Sequence, residues 1–296
     1  MILLDGKATA QSIRTELKAE VAELAARFGR APGLAVILVG EDPASQVYVR
    51  NKERACAEVG IASVPHRLPA ATAQKDLEAL IDALNADPAV DGILLQLPLP
   101  AGLESRPLLE RIDPGKDVDG FHPQNMGRLA QGLPGFAPCT PAGVIELLRR
   151  YDLPTQGKTA VVVGRSNIVG RPLSIMLSQP GRFGDATVTL CHSRTPDLAE
   201  KCRNADFVFA AIGRPRFVTC TMVKDGAVVV DVGINRVEEC LVGDCDFEPL
   251  CSMASAMTPV PGGIGPMTIA MLLRNTVAAF KNHMGALEPV TLREHV

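Results

Sequence analysis

Hydrophobic positions recur at two periods along this chain. Across residues 7–28, Ile13, Leu17, Val21 and Leu24 fall three or four apart between charged residues, the spacing of one helical face. Gly33–Val39 is instead a continuous apolar run, the pattern of a strand buried on both faces. Gly40-Glu41-Asp42-Pro43 punctuates that run, and 44–59 reads as a helix stopped by Gly60. A short strand over 62–66, a helix over 74–85 and an apolar strand over 90–95 follow. Gln96-Leu97-Pro98-Leu99-Pro100 cannot continue a regular element, because proline has no N–H to donate. Strands alternating with helices predict an α/β unit with a mainly parallel sheet.

The rhythm breaks across 113–141, which is rich in Gly, Pro and Asp and contains Lys116-Asp117-Val118-Asp119-Gly120-Phe121-His122-Pro123. A loop of that length is either functional or a linker. A helix then runs from Thr140 to about Arg150, with Pro141 in its first turn. A second α/β unit follows, with strands expected near 159–163, 186–191, 206–210 and 227–231 and a closing helix from about Pro266 to Lys281. Its first strand runs through Gly164-Arg165-Ser166-Asn167-Ile168-Val169-Gly170 straight into a helical stretch from Pro172. Such a strand, turn and helix start offers unpaired N–H groups and a positive dipole end to a pyrophosphate. The spacing G-x-S-x-x-x-G departs from G-x-G-x-x-G, so taken alone it fits a dinucleotide site or an ordinary strand–helix turn.

With 296 residues the chain has room for two domains of roughly 150 each. Tryptophan is absent, so aliphatic side chains must fill the cores. A net charge of −3 argues against a nucleic-acid surface or a polybasic membrane anchor. The opening residues Met1–Lys7 lack the basic start and long apolar run of a signal peptide, and no window resembles a membrane span. The eight cysteines show no C-x-x-C spacing, and Cys240, Cys245 and Cys251 have no histidine at zinc-finger distance. They read as reduced thiols of a cytosolic protein, and no metal is expected.

The second strand of the later unit ends in Cys191-His192-Ser193-Arg194-Thr195, with no acidic residue. An acid there would bind the ribose hydroxyl of NAD, whereas cations and hydroxyls accept the extra phosphate of NADP. Arg165, Ser166, Ser193 and Arg194 can converge on such a phosphate, or remain solvated loop residues. Gly213, Asp231 and Gly233 fall at later strand ends, where cofactor also lies. In the first unit, Tyr48 and Lys52 are four apart and share a helix face. Short-chain dehydrogenases also carry Y-x-x-x-K, but there the cofactor loop precedes the pair, and here it follows. Gln96 comes just after a buried strand, where open α/β sheets place ligand groups. Each residue also has a structural reading: an inert surface pair, a satisfied core amide and, for Asp119, a turn residue.

Six stretches together, Asp42–Lys52, Gly92–Pro100, Lys116–Pro123, Pro138–Pro141, Gly164–Pro172 and Thr258–Thr268, closely resemble the bifunctional methylenetetrahydrofolate dehydrogenase/methenyltetrahydrofolate cyclohydrolase family. The likeness covers almost the whole chain in the family's order. It implies two α/β domains flanking a cleft, the second a Rossmann-like NADP-binding domain. Residues 1–139, completed by the C-terminal helix 266–296, would bind folate, and 140–265 would bind NADP. Such enzymes oxidise 5,10-methylenetetrahydrofolate with NADP⁺, then hydrolyse the methenyl product to 10-formyltetrahydrofolate. The family's functional Tyr, Lys, Gln and Asp are present as Tyr48, Lys52, Gln96 and Asp119. The resemblance implies that Lys52 manages protons with Gln96 and Tyr48, and that Asp119 anchors the pterin. It places Leu97, Pro261, Gly262 and Gly263 against the folate. Gly164, Arg165, Ser166, Gly170, Ser193, Arg194, Gly213, Asp231, Gly233 and Ile234 would lie against NADP. It also implies a cytoplasmic homodimer, with neither nucleic acid nor membrane as partner. Two rival readings are a single-activity nicotinamide dehydrogenase and a nucleotide sensor without turnover; hydrolysis of the methenyl compound in the absence of nicotinamide separates both from this one.

Arg165→Ala is expected to weaken NADP⁺ binding by roughly one to two decades, the worth of one charge-assisted phosphate contact. NAD⁺ binding should change little. Equal losses for the two cofactors, measured side by side, would remove Arg165 from the phosphate site.

Overall fold

The apolar runs form parallel strands, and the amphipathic stretches form the helices that cover them. The computed structural model describes residues 1–286. In chain order it contains β1 (Ile2–Leu3), α1 (Gly6–Phe28), β2 (Gly33–Val39), α2 (Pro43–Val59), β3 (Ala62–Leu68), α3 (Gln74–Ala86), β4 (Gly92–Leu95), α4 (Ser105–Arg111), α5 (Pro123–Ala130) and α6 (Cys139–Arg150). The second half contributes β5 (Thr159–Val163), α7 (Gly170–Ser178), β6 (Thr187–Cys191), α8 (Leu198–Arg203), β7 (Phe207–Ala210), β8 (Val228–Asp231), β9 (Asn235–Val237), β10 (Cys240–Val242), α9 (Phe247–Cys251), β11 (Ala256–Met257) and α10 (Ile264–His283). The chain divides into two compact units. One comprises Met1–Gln11 and Arg128–Thr268; the other comprises Ser12–Gly127 and the described chain from Ile269 onward. Residues 287–296, expected to extend the closing helix, lie outside the described residues.

In the unit containing Ser12–Gly127, β2 pairs in parallel with β3 on one side and β4 on the other. Every residue of β2 is buried, as its unbroken apolar sequence predicts for a central strand. Ala35, Ile37, Ile93 and Leu95 pack against Leu77, Ile81 and Leu108 of α3 and α4. The start of β4 is pinned by Asp91, which has no exposed side-chain surface. Its carboxylate accepts two bonds from Arg30 and one from the Gly33 N–H, and pairs with His283 at 3.0 Å. Burial opposes ionisation of Asp91, but these donors hold its carboxyl below the ordinary range.

The other unit carries a six-stranded sheet in the order β1-β11-β8-β7-β5-β6, all neighbours parallel. From β5 the chain moves outward to β6, then returns to β7 on the opposite side. The strand order therefore reverses between β5 and β7, and open sheets of this kind take ligands in the crevice at that point. Val161, Val163, Val208 and Val229 build the core beneath it.

Several elements were not foreseen. β1 and β11 have two residues each, too few to show a period, so the pairing of Ile2 and Leu3 with Ala256 and Met257 has no local signal. Helix α5 lies within the Gly-, Pro- and Asp-rich stretch 113–141 that reads as loop, and α4 lies just before it, where no element is expected. The β9–β10 hairpin turns through Glu238 at φ +54°, a conformation rarely adopted by a residue with a side chain.

Candidate functional site

Helix α2 is fixed at both ends by its own sequence. Asp42 accepts the Ser45 N–H at 2.7 Å, Pro43 stands in the first turn, and Gly60 closes the helix at φ +87°. The buried face carries Ser45, Val49, Lys52, Cys56 and Val59. Lys52 is therefore an amine on an apolar face, only 9% exposed. Its Nζ donates to Gln96 Oε1 at 3.1 Å. Gln96 is held in turn: its backbone N–H bonds Ile37 O at the end of β2, and its Nε2 donates to Leu97 O at 2.6 Å. Tyr48, one turn earlier on α2, is 41% exposed, and partial burial raises its phenol above the ordinary value. Cys56, one turn after Lys52, is a buried thiol pushed up to about 12 by its burial, with the Lys52 charge acting the other way.

The segment 116–120 runs beside β4. Ile93 donates to Lys116 O and bridges to Asp117, which sets the segment alongside the strand that ends in Gln96. Within it Lys116 Nζ donates to Leu84 O and Asp87 O, carbonyls at the C-terminal end of α3. The buried Asp117 carboxylate accepts from Phe121 N, His122 N and Asn125 Nδ2. Burial pushes that carboxyl up despite its donors. Val118 fills the space beside Gly92, and Asn275 of α10 donates to Val118 O. Asp119, half-buried, is the next residue.

At the strand ends of the other unit, Gly164 adopts φ +126°, and a Cβ there would collide with the Ala211 carbonyl oxygen. A Cβ on Gly170 would collide with the Gly164 carbonyl. Both glycines are thus required by backbone-on-backbone approach at the crevice. Ser166 Oγ accepts from Val169 N and Gly170 N, filling two donors at the start of α7 and leaving its own O–H to donate. Arg165, Ser193 and Arg194 are exposed. Gly213 sits at φ +68°, with open space where a side chain would project. A nucleotide fits this end of the sheet: it has a switch point, exposed cations and an uncovered glycine.

The chain matches the models of two domains: the tetrahydrofolate dehydrogenase/cyclohydrolase catalytic domain over residues 4–119, and the NAD(P)-binding domain of the same name over 138–284. The chain belongs to the tetrahydrofolate dehydrogenase/cyclohydrolase family. It is 69% identical over 285 residues to the bifunctional protein FolD of Nitratidesulfovibrio vulgaris (strain DP4), covering 96% of this chain and 100% of that one. Among solved structures, the bifunctional FolD enzyme of Campylobacter jejuni is 51% identical at a TM-score of 0.92, covering 95% of this chain and 99% of that chain. The Trypanosoma brucei methylenetetrahydrofolate dehydrogenase-cyclohydrolase, solved with NADP cofactor and inhibitor, is 40% identical at a TM-score of 0.91, with 96% and 98% covered.

In this family member the structure brings Lys52 and Gln96 into direct contact and puts Asp119 on the segment beside β4. Pro261, Gly262 and Gly263 lie in the other unit, where Lys7 N bonds Gly262 O and a Cβ on Gly6 would strike the Gly263 carbonyl. Ile234 is exposed beside Gly265. Asp231 and Gly233 are buried at the end of β8. The Asp231 carboxylate accepts from Gly233 N, Asp244 N and Cys245 N, and a Cβ on Gly233 would collide with the Asp244 carboxylate. These two residues shape the strand end from beneath. Sequence reasoning missed Asp244, three of whose donors are backbone N–H groups about thirty positions earlier in the chain. Among the described residues no three His, Cys, Asp or Glu side chains group to hold a metal, and no helix is long and apolar enough to cross a membrane.

Burial pushes the Asp231 carboxyl up to about 6; its backbone N–H donors act against this, and the Asp244 charge adds to it. Between about pH 4 and that value the folded unit holds a proton that the unfolded chain has released. The contribution of this group is therefore full at low pH and is lost as pH rises through about 6. In urea unfolding, the stability difference between the parent and Asp231→Asn should shift by roughly 2–3 kcal/mol between pH 4 and pH 7.5. A difference independent of pH would mean that Asp231 does not titrate there.

Proposed function

We propose that this chain oxidises 5,10-methylenetetrahydrofolate to the 5,10-methenyl cation with NADP⁺, then hydrolyses the cation to 10-formyltetrahydrofolate with Lys52 as the acid–base group. The observation that carries this reading is the buried Lys52 amine held at 3.1 Å by a neutral amide, Gln96. NADP, held by Arg165, Ser166, Ser193 and Arg194 at the switch point of the six-stranded sheet, supplies the hydride acceptor. The exposed cations and the absence of an acidic residue from 192–195, directly after β6, support NADP over NAD, as does the NADP bound to the Trypanosoma brucei relative. A cytoplasmic homodimer completes the reading.

Oxidation requires no protein base, because the methylene carbon loses hydride and leaves a cation shared by two nitrogens. Hydrolysis requires proton management. Water bonds to the bridging carbon and releases a proton, and the C–N bond to one ring nitrogen breaks as that nitrogen gains a proton. The second water proton leaves as the carbon becomes a formyl group. Lys52 can take and return a proton within this sequence. Gln96 fixes the amine without adding a charge. Tyr48 offers a ring for the aminobenzoyl group, and Leu97 would border the folate. Asp119 presents a carboxylate that can accept two hydrogen bonds from the amino-pyrimidinone edge of the pterin.

Lys52→Met keeps length and loses the proton. Its hydrolysis of methenyltetrahydrofolate, followed by absorbance decay above the buffer rate, should fall about a hundred- to ten-thousandfold, while the dehydrogenase step loses much less. Hydrolysis at the parent rate would assign the acid–base role elsewhere. Asp119→Ala should instead depress both activities together, mainly by raising KM for folate. Unchanged folate KM would return Asp119 to a turn residue.

A further inference from the structure

The wall of the cofactor crevice is built on a buried anion. β7 ends at Ala210, and Ala211 closes against Gly164 at the switch point. The next three backbone N–H groups, of Ile212, Gly213 and Arg214, all point at one carboxylate, Asp244, at 2.7, 2.9 and 2.8 Å. Asn235 Nδ2 adds a fourth donor at 2.8 Å. Asp244 itself is fully buried, and its own N–H is anchored by the Asp231 carboxylate. Consecutive N–H groups converging in this way make an anion-binding concavity. Here the protein fills it with its own side chain.

From this geometry we propose that Asp244 is a positioning residue for the nicotinamide cofactor, holding Ile212–Arg214 as the rigid wall of the crevice; the proposal rests on the reading that NADP lies at this switch point. Two consequences follow from the bonding. The three N–H groups are occupied and cannot bind a phosphate, so the phosphates must be met from the Arg165 and Arg194 loops. The same bonds fix Gly213 at φ +68° beside open space, so the wall presents uncovered backbone to the ligand. Oδ2 serves Ile212 and Gly213, while Oδ1 serves Arg214 and Asn235. In Asp244→Asn, whichever way the amide turns, two donors face an NH₂ group and the wall loses its anchor.

The test uses two readouts on the full chain. NADPH affinity is measured by direct fluorescence titration, without turnover. Hydrolysis of methenyltetrahydrofolate is measured with no nicotinamide present. Asp244→Asn should lower NADPH affinity roughly tenfold or more, since charge-assisted bonds to the wall are lost, and keep the hydrolysis rate within about twofold of the parent. Asn235→Ala, which removes one side-chain donor, should lower NADPH affinity by a smaller factor, about threefold. Unchanged NADPH affinity in a folded Asp244→Asn, or a parallel loss of affinity and hydrolysis, would overturn the proposal. Should Asp244→Asn fail to fold, unchanged affinity in Asn235→Ala would overturn it. If NADP does not lie at this switch point, Arg165→Ala will also leave NADPH affinity at the parent value; if only the Asp244 proposal fails, Arg165→Ala weakens NADPH and Asp244→Asn does not.

Discussion

At Gly164 the backbone leaving β5 comes directly against the backbone leaving β7, and the cofactor unit depends on that approach. A side chain at 164 would force the ends of β5 and β7 apart, and one at 170 would push the start of α7 away from the end of β5. With both glycines in place, the turn is short enough for Ser166 to cap the helix, and the exposed Arg165 stands at the crevice. On the opposite side, the backbone after Ala211 turns onto Asp244. One wall is shaped by the absence of side chains and the other by a buried carboxylate.

The other unit solves a related problem with a lysine. Placing Lys52 on the buried face of α2 costs solvation unless the amine finds a partner. An amide meets part of that cost and adds no charge. Gln96 can serve because it follows directly on β4, with its own backbone bonded to the central strand β2. The motif Lys116–Asp119 divides its labour similarly. Lys116 caps α3, Asp117 ties the turn to α5, and Val118 packs on Gly92, so these three residues fix the backbone that leads into Asp119.

Much of this architecture was legible along the chain. The strands β2, β4, β5, β7 and β8 announce themselves as apolar runs, and α1, α2 and α3 as periodic stretches bounded by Asp, Pro and Gly, because burial and capping act on neighbours in sequence. Tyr48, Lys52, Gln96 and Asp119 were readable as candidates from helix spacing, strand ends and resemblance. The contact of Lys52 with Gln96, across 44 positions, was not written in either local stretch. Nor was the β1–β11 pairing, where two-residue strands carry no period. Asp231 and Gly233 read as strand-end residues, and their packing against Asp244 has no signal in the local sequence. Local sequence determines where strands and helices start and stop. Which carboxylate is buried, and which backbone N–H groups it must satisfy, is decided only when distant strand ends close around it, because an unpaired buried charge would unfold the loop that holds it.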